Sequence, residues 1–155
     1  MGSDMNAVDD ALADHAAPTQ PAPSERDRAT IDHCFSAESV AAILARLDSE
    51  ANNGSEFAVE AARTMRTKCP TSMMIAYEQM RRGSHLGFEE AMALEFRIVS
   101  RMLDNPDFYE GVRAVVIDKD QSPKWSPATI DEVSPERVAR FVEPVDHELT
   151  DGSRA

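Results

Sequence analysis

Basic residues, cysteines, aromatics and long apolar runs are all scarce in this chain, and each scarcity removes a class of function. Sixteen lysines and arginines stand against 28 acids, for a formal charge of −12, and the acids are spread along the chain. Nucleic acid is excluded as a partner, because gripping phosphates depends on clustered bases that displace counterions. One local basic spot could still serve a polyanionic ligand. The two cysteines, Cys34 and Cys69, form no CxxC pair, and the histidines do not cluster. Neither a zinc pattern nor a disulfide framework is written here, so no metal is expected and a reducing compartment fits. No apolar run approaches the ~18 residues of a membrane span. The opening MGSDMNAVDDALADH has neither a basic start nor an apolar stretch, and its acids do not suit a transit peptide. These absences predict a soluble, cytoplasmic protein with no membrane partner.

What is present is helical periodicity in a chain of 155 residues, a length that suits one domain. A weak helix over Met5 to Ala16 gives way to AAPTQPAP, whose three prolines stop it, so residues 1–23 read as a weak helix and linker. Ser24, with Glu25 and Asp27 behind it, predicts a capped helix carrying Ile31, Cys34 and Phe35 on one side. Ser36 is then expected to cap a helix whose Val40, Ile43, Leu44 and Leu47 follow amphipathic spacing. ANNGS at Ala51 to Ser55 predicts a turn. A third stripe, Phe57, Ala61, Ala62 and Met65, should stop before Pro70, and a fourth helix from Pro70 should carry Met73, Met74, Tyr77 and Met80 up to Gly83. From Phe88 to Leu103 the apolar face is so wide that it predicts burial from two sides.

Asp104 and Pro106 are expected to open the last long helix, with Phe108, Val112 and Val115 on one stripe; the β-branched run Val115 to Ile117 leaves a short strand as the competing reading. A short helix over Ser134 to Phe141 and a disordered tail over 143–155 complete the prediction. There is no repeat and no alternating strand pattern, so the expected class is all-α, with the folded domain at 24–142.

Catalytic constellations are missing. His33 and Cys34 are sequence neighbours and so cannot face each other on a helix. GSHLG, Gly83 to Gly87, puts its serine in the wrong place for a nucleophile elbow, and no strand precedes it. His15 and His147 fall in the ends. Glu89 and Glu90 suit a helix start. Glu95, between Leu94 and Phe96, reads as a partly buried structural carboxylate wanting a basic partner such as Arg97 or Arg101. The methionines fall at core spacing. No Gly-rich phosphate loop and no HExxH is present. No catalytic residue is therefore predicted from the residues themselves.

Three motifs in order carry a family likeness: PTSMMIAYEQMRRG (Pro70 to Gly83), ALEFRI (Ala93 to Ile98) and DFYEGVRAVVIDKDQSPKW (Asp107 to Trp125). Together they resemble the C-terminal part of 3-hydroxyisobutyryl-CoA hydrolases, in the enoyl-CoA hydratase/isomerase, or crotonase, superfamily. IDHCF and AESVAAILARL are similar to the hydrolase branch too. The resemblance implies that Glu110, Gly111 and Trp125 are packing positions of a characteristic ending. It also implies that a lysine of that ending, Lys119 first and Lys124 second, approaches the nucleotide part of coenzyme A. The alternative is that both lysines only cap a helix end against its dipole.

The same resemblance places the oxyanion-hole glycines and the catalytic glutamate in a larger N-terminal αβ domain, which nothing in this sequence matches. The chain is thus expected to be a helical portion alone, whether truncated, split or engineered, and inactive toward thioesters by itself. It would meet its acyl-CoA substrate through a missing or separate N-terminal crotonase domain, with no cofactor beyond the coenzyme A of the substrate, and a homo-oligomer is possible. The alternatives are a non-catalytic helical interaction module and a fragment of a hydratase or isomerase.

Overall fold

The structure, a computed structural model, describes residues 23–147. The weak N-terminal helix and nearly all of the linker lie outside these residues, as does the tail from 148. The described chain is all-α, as its periodicity predicts: α1 (Pro23–Arg26), α2 (Arg28–Phe35), α3 (Val40–Asn52), α4 (Glu56–Thr67), α5 (Pro70–Gly83), α6 (Phe88–Met102), α7 (Pro106–Val112) and α8 (Pro135–Val142). A π-helical turn (Arg113–Ile117) extends α7, and a 3₁₀ turn (Ile130–Glu132) precedes α8. No strand occurs among the described residues, so the β-branched run Val115 to Ile117 continues the helix in a wider coil.

Helix starts sit where short polar side chains can take up the free N–H groups of a first turn. Ser39 Oγ accepts from the Ala42 N–H at 3.1 Å, and Ser55 Oγ from the Ala58 N–H at 3.2 Å. Asn105 and Ser134 do the same for α7 and α8, and prolines occupy the first turns of α5, α7 and α8. Three expected caps shift accordingly. Ser24 lies inside α1, and Asp27 before α2 makes no side-chain cap bond. Ser36 yields its role to Ser39, since its own hydroxyl donates backward to the His33 carbonyl at 3.1 Å. Asn105, not Asp104, opens α7. Between α3 and α4 the expected turn forms, with Gly54 at φ +95°, a region open to glycine at little cost.

Two apolar clusters meet on α5. Cys34, Ala37, Ile43, Leu47, Ala58 and Ala62 form one, joining α2, α3 and α4. Ile75, Leu94, Ile98, Val133, Val138, Phe141 and Val142 form the other, joining α5, α6 and α8. Tyr77 links them: its ring packs on the first cluster while α5 supplies Ile75 to the second, and its hydroxyl donates to the Ala37 carbonyl at 3.0 Å.

The apolar stripes are only half used. Phe35 is exposed although Cys34 beside it is buried. On α5, Pro70, Thr71 and Ile75 are buried, whereas Met80 stays 76% exposed. On α6 only Leu94 and Ile98 are buried; Phe88, Met92, Val99 and Leu103 remain exposed, so the second burial expected of this helix is not supplied by the described residues. Val115, Val116 and Ile117 are exposed as well. At the other end, Arg101 donates to the carbonyls of Glu143 at 2.6 Å and Pro144 at 2.8 Å, holding the chain onto α6 where the sequence suggests a free tail. Among the described residues, no helix is long and apolar enough to cross a membrane.

Candidate functional site

The segment after the π-helical turn is held by a single guanidinium. Arg113 Nε donates to Glu110 Oε2 and Nη2 to Oε1, both at 2.9 Å, a two-pronged pairing of fork and carboxylate. Its Nη1 reaches Asp118 and Asp120, each at 2.7 Å, and Nη2 reaches the Ser122 carbonyl at 3.3 Å. Glu110 Oε1 accepts one bond more, from the Lys124 N–H at 2.7 Å. The backbone obeys this arrangement. Lys119 and Gln121 adopt φ of 57° and 54°, and the Gln121 N–H returns to the Ala114 carbonyl at 3.0 Å. The turn therefore sits at Lys119 to Gln121, earlier than the Gln121 to Pro123 that the proline suggests.

The electrostatics follow from the geometry. The Arg113 guanidinium, helped by the Lys124 N–H, holds the Glu110 carboxyl at about 2, against an ordinary 4.5. Asp120 is lowered by Arg113 first and the Ser122 N–H second, and Arg113 itself is raised by its carboxylates, Glu110 foremost. Lys119 stands between Asp118 and Asp120 with its side chain exposed, and Lys124 is exposed too. Lys124 adds a smaller share to the lowering of Asp120, behind Arg113 and the Ser122 N–H.

Trp125 is fixed between α7 and the end of α4. Its ring lies on Gly111, where a Cβ would come within 3.4 Å of the indole, and its Nε1 donates to the Thr67 carbonyl at the end of α4, 3.1 Å away. The next N–H, of Ser126, donates to Asp107 Oδ1 at 2.9 Å, and the Ser126 carbonyl accepts from Arg137 of α8 at 3.0 Å. Asp107 is buried and takes the Cys69 thiol on its other oxygen at 3.3 Å. Lys119 and Lys124 are thus displayed on a segment anchored to α4, α7 and α8.

Other candidates disperse. Glu95 is exposed and not partly buried, since it lies on the open flank of α6; its side chain accepts from Gln79 of α5. Arg101, one of its expected partners, is turned instead to the carbonyls after α8. His33, His85 and His147 are exposed, and His15 lies outside the described residues. Arg81 and Arg82 line a groove of about 590 Å³ between α5 and α6, yet both engage Glu78. No group of three or more potential metal-binding side chains occurs among the described residues. Sequence reasoning overlooked Arg113, whose place three residues after Glu110 and just before Asp118 and Asp120 is a charge pattern visible in the chain. It also overlooked Asp107, which nothing in the sequence marks as buried.

A family model described as enoyl-CoA hydratase/isomerase matches residues 2–142. The chain belongs to that family. Within the enoyl-CoA hydratase/isomerase family its sequence is similar to 3-hydroxyisobutyryl-CoA hydrolase, mitochondrial, of Danio rerio, at 40% identity over 75% of this chain and 30% of the relative. It is similar to the Homo sapiens protein of the same name at 42% identity, over 68% of this chain and 27% of that one. Among solved structures, a carnitinyl-CoA dehydratase from Mycobacterium thermoresistibile superposes with a TM-score of 0.81 at 35% identity, covering 94% of this chain and 41% of the other. The chain spans under a third of the length of these curated relatives. Its fold is that of the C-terminal helical part of a crotonase-like protein.

Proposed function

We propose that this chain is the C-terminal helical portion of a 3-hydroxyisobutyryl-CoA hydrolase-like thioester hydrolase of valine breakdown. Its share of the work is to cover the acyl pocket, to complete the coenzyme A site through Lys119 and Lys124, and to contribute subunit contacts. The observation that carries this reading is the 37 to 42% identity to several 3-hydroxyisobutyryl-CoA hydrolases over about three quarters of the chain. The open apolar flank of α6 supports it, because a lid needs a surface with which to meet the domain it covers.

Thioester hydrolysis requires two aimed N–H donors for the oxyanion and a carboxylate or activated water beside them. The described residues present no such pair together, so the chain alone is expected to be inactive. The two free cysteines fit a reducing compartment, and a cytoplasmic site is proposed on that ground alone, since the relatives named above are mitochondrial proteins.

The test mixes the purified chain with the separately produced N-terminal part of the Danio rerio relative and follows thiol release from 3-hydroxyisobutyryl-CoA. Hydrolysis by the mixture, with none from either part, is the expected result. Hydration of an enoyl-CoA in place of hydrolysis would favour the hydratase or isomerase alternative. Failure of the two parts to associate would favour a free-standing interaction module.

A further inference from the structure

A lysine that is to meet a phosphate is poorly served by aspartates on either side of it. Lys119 has Asp118 before it and Asp120 after it, and their charges would repel the anion that the lysine attracts. Both carboxylates point at Arg113 Nη1, at 2.7 Å each. The guanidinium also grips Glu110, which in turn holds the Lys124 N–H. One side chain thereby touches or indirectly secures both flanks of Lys119 and the backbone of Lys124. The left-handed φ values of Lys119 and Gln121 are uncommon for residues with a Cβ, and such values persist where the surroundings over-determine them.

We propose that Arg113 is the positioning residue of the coenzyme A contact: it draws the carboxylates of Asp118 and Asp120 onto its own fork and fixes the turn that presents Lys119 to the phosphates. This rests on the reading of Lys119 as a phosphate contact. The rigid fork matters as well as the charge. Arg113 serves three carboxylates and a carbonyl at once, which a lysine's single ammonium cannot match in that geometry.

The experiment titrates coenzyme A into the isotope-labelled full chain mixed with the unlabelled N-terminal part of the Danio rerio relative, at low salt, following the Lys119 and Lys124 amide resonances, and measures amide exchange from Asp118 to Ser122 without ligand. In the parent chain both resonances should move. Lys119→Ala should weaken the response by about ten-fold. Arg113→Met should weaken it to a similar degree and speed exchange across the turn far more than in the helical core. Arg113→Lys should recover part of both. Adding Asp118→Asn and Asp120→Asn to Arg113→Met should recover only part of the affinity, because the charge is removed but the turn is not rebuilt.

Full recovery in that triple variant overturns positioning in favour of charge alone. Unchanged exchange and affinity in Arg113→Met, with Lys119→Ala still weak, overturns the proposal and leaves the coenzyme A reading standing. Equal affinity of the parent chain and Lys119→Ala, or no response in the parent, overturns that reading and the proposal with it.

Discussion

Asp107 accepts the thiol of Cys69 at 3.3 Å, across 38 positions of sequence, and so ties the start of α5 to the start of α7. Its other oxygen accepts the Ser126 N–H, which makes one buried carboxylate the meeting point of two helices and the segment that follows the turn. Asp107→Ala would leave both donors without an acceptor. The expected loss is about 1 to 3 kcal/mol in urea unfolding, since an orphaned buried donor costs its full desolvation. Asp107→Asn keeps one oxygen and should lose less. Equal stability of Asp107→Ala and the parent would show that solvent reaches this carboxylate.

Glu110 sets a pH dependence at the turn. Its folded value of about 2 lies below its ordinary 4.5, so the unfolded chain takes up the proton first as pH falls. The stabilisation it gives is whole above about 4.5 and fades as the pH drops toward 2. The Lys124 amide resonance should follow that titration, and Glu110→Gln should flatten this part of the acid limb. An unaltered acid limb in the variant would assign the transition to other carboxylates.

The uncovered apolar side chains bear on association. Val116 and Ile117 are 62% and 68% exposed, so replacing both by lysine should alter folded stability by no more than about 0.5 kcal/mol per site. Self-association of the free chain should fall. Sedimentation velocity across a concentration series reads the change directly, and unchanged sedimentation would place the sticky surface elsewhere.

A core position should behave in the opposite way. Leu47 is fully buried among α2, α3 and α4, and Leu47→Ala should cost about 2 to 5 kcal/mol in chemical denaturation. Met80→Ala, at a position that periodicity alone assigns to the interior, should cost no more than about 0.5 kcal/mol. A large loss at Met80 would show that its exposed side chain is covered in solution.

That contrast marks what the sequence makes legible. Val40, Ile43 and Leu47 recur at helical spacing and share one buried face, so period alone located them. Met80 and Met92 satisfy the same spacing but lie on flanks that no described residue covers. Whether a stripe is buried depends on its neighbours, which one helix's sequence does not name. Caps drifted for a related reason: Ser36 and Ser39 both precede α3, and only the backbone path decides which hydroxyl reaches a free N–H.

The candidate site was legible as a motif and not as a geometry. Lys119, Lys124 and Trp125 stood out in the chain, whereas the bonds from Arg113 to Asp118 and Asp120 exist only because a π-helical turn and two left-handed residues bring separated positions together. Helical spacing rules do not foresee such contacts.

The two buried cysteines give the molecule a pair of internal clocks. Burial raises both thiols, so the thiolate that an alkylating reagent needs is scarce and sheltered in the folded chain. Labelling must wait for an opening. Cys34 reports on the cluster of α2, α3 and α4, and Cys69 on the junction of α5 with α7, so one time course of alkylation, read by peptide mass, yields two opening rates. Matching rates would mean that the molecule opens as one unit, and differing rates that it comes apart in stages.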